Sequence, residues 1–393
     1  MEKDWRWFGR KDKITLPILR QIGVEGIVTA LHDMPIGEVW TVDRISELKG
    51  YIESFGLRWS VVESLPVSEV IKCAGPERDV LIENYCNSLT NLGKCGIRTV
   101  CYNFMPVIDW IRTDLEYPCP DGSTSLYFDM AEFAYFDIHI LRREGAEADY
   151  SANILKRVEA LASRFTPKDR ERLIDTIIVK TQGFVNGNFA DPGFDPVGLF
   201  REMLKPFAGI SKNDLRNNLR YFLKAVMPVC EEYGINLCIH PDDPPMPVLG
   251  LPRIVTSAAD IEWILKAVDN PHNGLTFCAG SLSSGAHNDL VSMARKFASR
   301  TRFVHLRSCD VLPGGNFVEA SHTAGRAHLV ELIRIFERQD PSLPMRVDHG
   351  KTMLGDAACG YNPGYSFHGR MLALGQVDGM IAAVRNEIEN KLI

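Results

Sequence analysis

Four short apolar runs end in side chains that bind metals. Asn236–His240 (NLCIH), Gly274–Cys278 (GLTFC), Arg302–His305 (RFVH) and Met345–Asp348 (MRVD) close on His240, Cys278, His305 and Asp348. Imidazole, thiolate and carboxylate are ligands of Zn, Fe(II) and Mn(II) centres. The steps from 240 to 278, 278 to 305 and 305 to 348 are each about one strand–helix repeat long, so the four groups come from different strands rather than from one local loop. A lone His or Cys at a strand end is usually packing or a local hydrogen bond. Four on successive strands make a site. At an open rim such a centre keeps positions for a substrate; as a closed set it would be a structural zinc staple.

Other polar side chains follow these runs. Arg307, two residues past His305, suits bidentate capture of a carboxylate, or else a surface ion pair. His349 is a general acid or base, or a partner that orients Asp348. His322 is a substrate contact or a solvated loop residue, and Tyr365 a proton carrier or a packed aromatic. His139, His272, His287, His328 and His368 read as ordinary helix or loop residues. The ten cysteines contain no CxxC pair. Cys73, Cys86, Cys95, Cys230, Cys238 and Cys359 read as inert thiols.

The elements that must position these groups alternate along the chain. Strand-like runs are Trp5–Gly9, Gly26–Leu31, Arg58–Ser64, Arg98–Phe104, one from Asn236, Leu275–Cys278, Arg302–Leu306 and Met345–Asp348. Helical segments lie between them: Asp12–Ile22, Thr41–Phe55, Arg78–Cys95, Leu215–Tyr233, Ser257–Val268, Asp289–Ala298 and Ala327–Arg338, with a last one over about Gly369–Asn390. Unalternated Val, Ile and Leu runs point to a parallel sheet covered on both faces. Eight strand–helix pairs predict a closed α/β architecture, the (β/α)8 TIM barrel, whose active sites sit at the C-terminal rim. No GxGxxG follows the first strand, which argues against a doubly wound dinucleotide fold.

One stretch breaks the rhythm. Residues 116–210 read as a helical insertion after strand four, over the barrel mouth. It opens with a Pro- and Gly-rich loop from Asp114, continues with helices near Ala131–Ile140, Asn153–Arg164 and Asp169–Ile178, and is then cut by Pro192, Pro196 and Pro206. The whole of 1–393 reads as one domain. The net charge is −6 with no basic block, which excludes a nucleic-acid footprint. No run is long enough to span a membrane, and the start has no apolar signal core, so a cytoplasmic protein is expected.

Several irregular motifs resemble those of mannonate dehydratases. They are Trp5–Gly9 (WRWFG), Val28–His32 (VTALH), Gly37–Trp40 (GEVW), Val61–Val67 (VVESLPV), Cys101–Leu115 (CYNFMPVIDWIRTDL), Phe317–His322 (FVEASH), Arg346–Gly350 (RVDHG) and Pro363–Ser366 (PGYS). The resemblance runs along essentially the whole chain. It implies dehydration of the sugar acid D-mannonate to 2-dehydro-3-deoxy-D-gluconate in hexuronate catabolism, with a Mn(II) or Fe(II) ion. It carries the metal ligands onto His240, Cys278, His305 and Asp348, and the acid/base pair onto His349 and Tyr365, the latter chosen over Tyr361 for its Pro-Gly-Tyr context. His32, Asn103, Arg307 and His322 are then expected to grip carboxylate and hydroxyls, with Trp5 and Trp40 walling the pocket. A homodimer is expected, since such barrels often pair through outer helices. A metal-dependent isomerase or epimerase is the rival enzyme reading.

Overall fold

The predicted strand runs become short, mostly buried strands. The computed structural model describes residues 1–182 and 195–391. Eight parallel strands close a barrel: β1 (Glu2–Arg6), β2 (Gly26–Thr29), β3 (Arg58–Glu63), β4 (Thr99–Tyr102), β7 (Asn236–Ile239), β8 (Asn273–Cys278), β9 (Thr301–His305) and β12 (Pro344–Arg346). Their order around the ring is β1-β12-β9-β8-β7-β4-β3-β2. Because side chains alternate across a strand, Val28, Val61, Cys101 and Phe303 point inward and form a small cluster of their own inside the barrel. The larger core lies between the strands' outer faces and the helices, and includes Leu237, Leu275, Val304, Leu219, Phe222 and Leu332.

The helices begin where their sequences supply caps. The Thr41 hydroxyl accepts from Arg44 N–H ahead of Val42–Glu53. Ser257 does the same for Asp260 ahead of Ala258–Ala267. Ser211 and Asp214 form a reciprocal capping box at the start of Lys212–Tyr233, which ends at Gly234 in the left-handed region. Among the described residues no helix is long and apolar enough to cross a membrane.

The segment after β4 differs from its expected form. Its opening is not a loop but a hairpin, β5 (Asp114–Pro118) and β6 (Thr124–Phe128). Pro120-Asp121 supplies the turn, closed by Gly122 N–H donating to the Cys119 carbonyl, with Gly122 at φ 81°. This hairpin joins a second one, β10 (Cys309–Leu312) and β11 (Asn316–Glu319), in a four-stranded antiparallel sheet ordered β10-β11-β6-β5. The helices follow as Met130–Tyr135, Ala152–Ala162 and Pro167–Ile174, the first and third running on into π-helical turns. Pro196 opens another helix at its first position, and Pro206 sits in the short 3-10 turn after it, so neither only breaks structure. Pro192 lies outside the described residues. A separate apolar cluster, including Ile108, Phe128, Phe136, Leu173, Phe200 and Phe317, holds this segment to the second sheet.

Candidate metal centre and active site

Alternation within each strand sends the chemistry to one rim. His240 shares a face with inward Cys238, Cys278 with Thr276, His305 with Phe303, and Glu63 with Val61. Register then levels neighbours: Cys278 pairs with His305, and His305 with Arg346. His240 Nε2 lies 3.2 Å from His305 Nδ1. The ligand atoms of His240, Cys278 and His305 all lie within 4.8 Å of one another, close enough to hold one metal ion. Asp348, at φ 62°, stands two residues beyond the end of β12, and its Oδ2 is 3.6 Å from Cys278 Sγ. The left-handed backbone there is costly for a non-glycine residue, a kind of strain found at functional sites.

The donor atoms are prepared for a cation. His240 Nδ1–H donates to the Pro241 carbonyl at 2.7 Å, which turns Nε2 toward His305. Burial lowers the His305 pKa, and Arg346 lowers it further, so the ring is neutral. Burial works the same way on His240, but Cys278, Glu63 and Asp109 together outweigh it and lift that ring to about 9. A divalent ion bound at this ring would release its extra proton. Cys278 Sγ accepts from the Ser281 hydroxyl at 3.1 Å and its backbone N–H at 3.5 Å, at the start of the short helix Ala279–Ser283. Two imidazoles, a thiolate and a carboxylate fit a Zn, Fe(II) or Mn(II) ion.

Around these groups lies a buried ionic network. Asp348 accepts from Arg307 Nε at 2.7 Å and from Arg346 Nη1 at 2.5 Å. Arg307 also binds Asp243 at 2.8 Å and, more closely still, Glu319. Arg112 bridges the same two carboxylates, at 2.8 Å to Asp243 and 2.5 Å to Glu319. Arg346 reaches Glu63 at 2.9 Å. Burial alone would raise Glu63 and Glu319, but the guanidinium and imidazole neighbours prevail and hold both at about 2. Their unfolded value is the ordinary 4.5. The stability they contribute is therefore complete above that value and is lost as pH falls through the folded one. The urea midpoint should drop between pH 5 and pH 3; equal midpoints would contradict this.

The remaining predicted residues divide. A cavity of about 160 Å³ at the rim is lined by His32, Asn103, His240, Asp348, His349 and Tyr365, among others. His349 Nδ1 is 2.9 Å from Glu319 Oε1, so Nδ1–H donates to that carboxylate and Nε2 is left as the basic nitrogen. The Tyr365 ring meets His349 edge-on at 5.0 Å, and burial pushes its phenol up to about 12, so it keeps its proton. Burial, then Arg6, brings His32 down to about 3, leaving it neutral.

Arg307 lines the cavity but faces three protein carboxylates instead of a substrate. His322 is not in the cavity wall; its Nε2 is 2.7 Å from the Val347 carbonyl, where it braces the approach to Asp348. Trp40 lines the cavity, whereas Trp5 belongs to the larger core, with the Arg370 guanidinium 4.0 Å over its ring. Arg112, Asp243 and Glu319 went unread in the sequence. They lie far apart along the chain, and Glu319 ends a strand that reads as loop.

The sequence model described as D-mannonate dehydratase (UxuA) matches residues 1–391. The chain belongs to the mannonate dehydratase family. A mannonate dehydratase of Marinomonas sp. (strain MWYL1) is 46% identical over 398 aligned positions, covering 99% of this chain and 100% of that protein. One from Chromohalobacter salexigens is 45% identical over 394, covering 98% and 99%. The crystal structure of mannonate dehydratase from Streptococcus suis serotype 2 superposes with a TM-score of 0.78 at 35% identity, covering 99% of this chain and 96% of that one. That mannonate dehydratase structure thus shares this fold over nearly the whole chain.

Proposed function

We propose that this protein dehydrates D-mannonate to 2-dehydro-3-deoxy-D-gluconate in hexuronate catabolism, as a hydro-lyase that needs a divalent metal. The observation that carries this reading is the His240–Cys278–His305 cluster opening into a cavity that also holds His349 and Tyr365, in a chain of the mannonate dehydratase family. We assign the metal to His240, Cys278 and His305 with Asp348 as fourth ligand, and its identity to Mn(II) or Fe(II). When bound, the ion supplies Lewis-acid stabilisation for the charge that builds beside the substrate carboxylate.

The side chains do the proton work. His349 Nε2 takes the C2 proton, and Glu319 on Nδ1 stabilises the imidazolium that results. Tyr365, still protonated, donates to the C3 hydroxyl as it departs as water. The enol left behind tautomerises to the 2-keto acid. His32 and Asn103 hold hydroxyls; Arg307 and His322 fix Asp348 rather than touching substrate. No nicotinamide or flavin enters this scheme, because no hydride moves.

The 116–210 segment serves as a cover over the barrel mouth within a single working unit. Its packing against β10 and β11, which lead to Glu319, supports this. Exposed Val330, Met371 and Leu372 on outer helices support a homodimer; sedimentation showing only monomer would remove that assignment. A cytoplasmic location fits a thiolate centre that is open to oxidation.

The test is anaerobic incubation of the Mn(II)- or Fe(II)-loaded protein with D-mannonate. The expected product is lighter by one water and reacts as a 2-keto-3-deoxy acid. Chelation should abolish turnover, and air should diminish it until thiol and metal are restored. A product of unchanged mass would favour an isomerase or epimerase, and full activity after exhaustive chelation would remove the metal from the reaction.

A further inference from the structure

Three guanidinium groups line the cavity, and two of them are fully engaged. Arg307 binds Asp348, Asp243 and Glu319. Arg346 donates to His305 Nε2 at 3.1 Å, to Glu63 and to Asp348. Arg6 is different. It is the last residue of β1, two positions past Asp4, which is in register with Arg346. Arg6 therefore reaches the rim at the level of Asp348. Its side chain is 13% exposed, and the nearest carboxylate oxygen, Glu63 Oε2, is 3.8 Å from Nη1, too far for a hydrogen bond. Both Arg6 Nη1 and Glu63 Oε2 are buried without a hydrogen-bond partner.

A buried cationic donor left unsatisfied is expensive, and such groups usually have a partner that arrives from outside. Glu63 does not supply that partner, since its other oxygen is already neutralised by Arg346 at 2.9 Å. The ring of Phe8 under the guanidinium, 5.3 Å from its carbon, helps keep the planar group in place. His32, also in the wall, is neutral.

We propose that Arg6 receives the carboxylate of the substrate, and that it is the residue by which the site selects sugar acids over neutral sugars and polyols. The assignment rests on the dehydratase reading above for the identity of the substrate, and it moves the carboxylate contact from Arg307 to Arg6. A planar guanidinium offers two parallel N–H groups to a carboxylate, which a lysine does not.

The test compares wild type, Arg6→Gln and Arg6→Lys, each loaded with Mn(II), for turnover of D-mannonate and for inhibition by D-mannitol, the neutral polyol of the same carbon chain. Loss of a charge-assisted hydrogen-bond pair should raise KM for D-mannonate by about 10- to 100-fold in Arg6→Gln, with a smaller rise in Arg6→Lys. Inhibition by D-mannitol should change by less than about twofold, because no charge-assisted bond to it is lost. Manganese content should be that of wild type. If Arg6→Gln fails to fold, the Arg6→Lys comparison carries the same test, since it keeps the charge and loses the fork. An unchanged KM for D-mannonate, or an equal weakening of D-mannonate and D-mannitol, would overturn the assignment. Failure of the wild type to dehydrate D-mannonate would instead sink the dehydratase reading, a result read from a different protein in the same experiment.

Discussion

His349→Asn should lower kcat by about 10²- to 10⁴-fold, the range expected when a positioned general base is removed. Asparagine is near the size of the imidazole and can still donate to Glu319, so the fold and the metal cluster should survive. The loss should appear at one identifiable step. With His349 as base, exchange of the C2 hydrogen of D-mannonate for deuterium in D₂O should stop along with dehydration. Tyr365→Phe should behave differently, blocking loss of the C3 hydroxyl while leaving C2 exchange detectable, because the phenol acts on the leaving group. Exchange at the wild-type rate in His349→Asn would remove His349 as the base. Loss of exchange in Tyr365→Phe with retention in His349→Asn would reverse the two roles.

Arg307→Met is expected to cost about 3–5 kcal/mol of stability, as when one partner of a buried ionic network is deleted. Arg307 faces Asp348, Asp243 and Glu319, and all three are buried. Arg112 would still neutralise Asp243 and Glu319 in part, and Arg346 would still hold Asp348, so the effect should fall short of complete unfolding. Metal affinity should fall as well, because Asp348 loses one of the two cations that fix it. Urea denaturation and metal titration would measure both. Unaltered stability with only a raised KM would return Arg307 to the substrate carboxylate and count against Arg6 in that place.

These two residues mark how far the sequence could be read. The four runs ending in His240, Cys278, His305 and Asp348 were legible because a parallel barrel repeats: each strand is a short apolar run, and its end is always at the rim. The barrel strands and their helices follow from the same repeat, with shifts of a few residues at their ends. Glu319 was hidden. Its motif, Phe317–His322, is recognisable as a family feature, but nothing local says that the run pairs with β6 and carries a carboxylate back to His349. The hairpin of β5 and β6 was hidden for a related reason. Pro118, Pro120 and Gly122 give the composition of a loop, and the partner strand that makes a sheet of it lies nearly two hundred residues away. Arg307 was open to two readings, because a guanidinium near a metal suits a substrate carboxylate and a buried carboxylate equally well. Only coordinates show that Asp243 and Glu319 were already there. Arg6, inside a motif that reads as strand, became visible only once every other cavity guanidinium had a partner.

The most direct check on the account is an anomalous-scattering map from crystals of the Mn(II)-loaded protein, collected at the manganese edge. The prediction is a single strong peak coordinated by His240, Cys278, His305 and Asp348, with at least one coordination position open toward His349 and Tyr365. A peak elsewhere in the molecule, or none in protein that dehydrates D-mannonate, would contradict it.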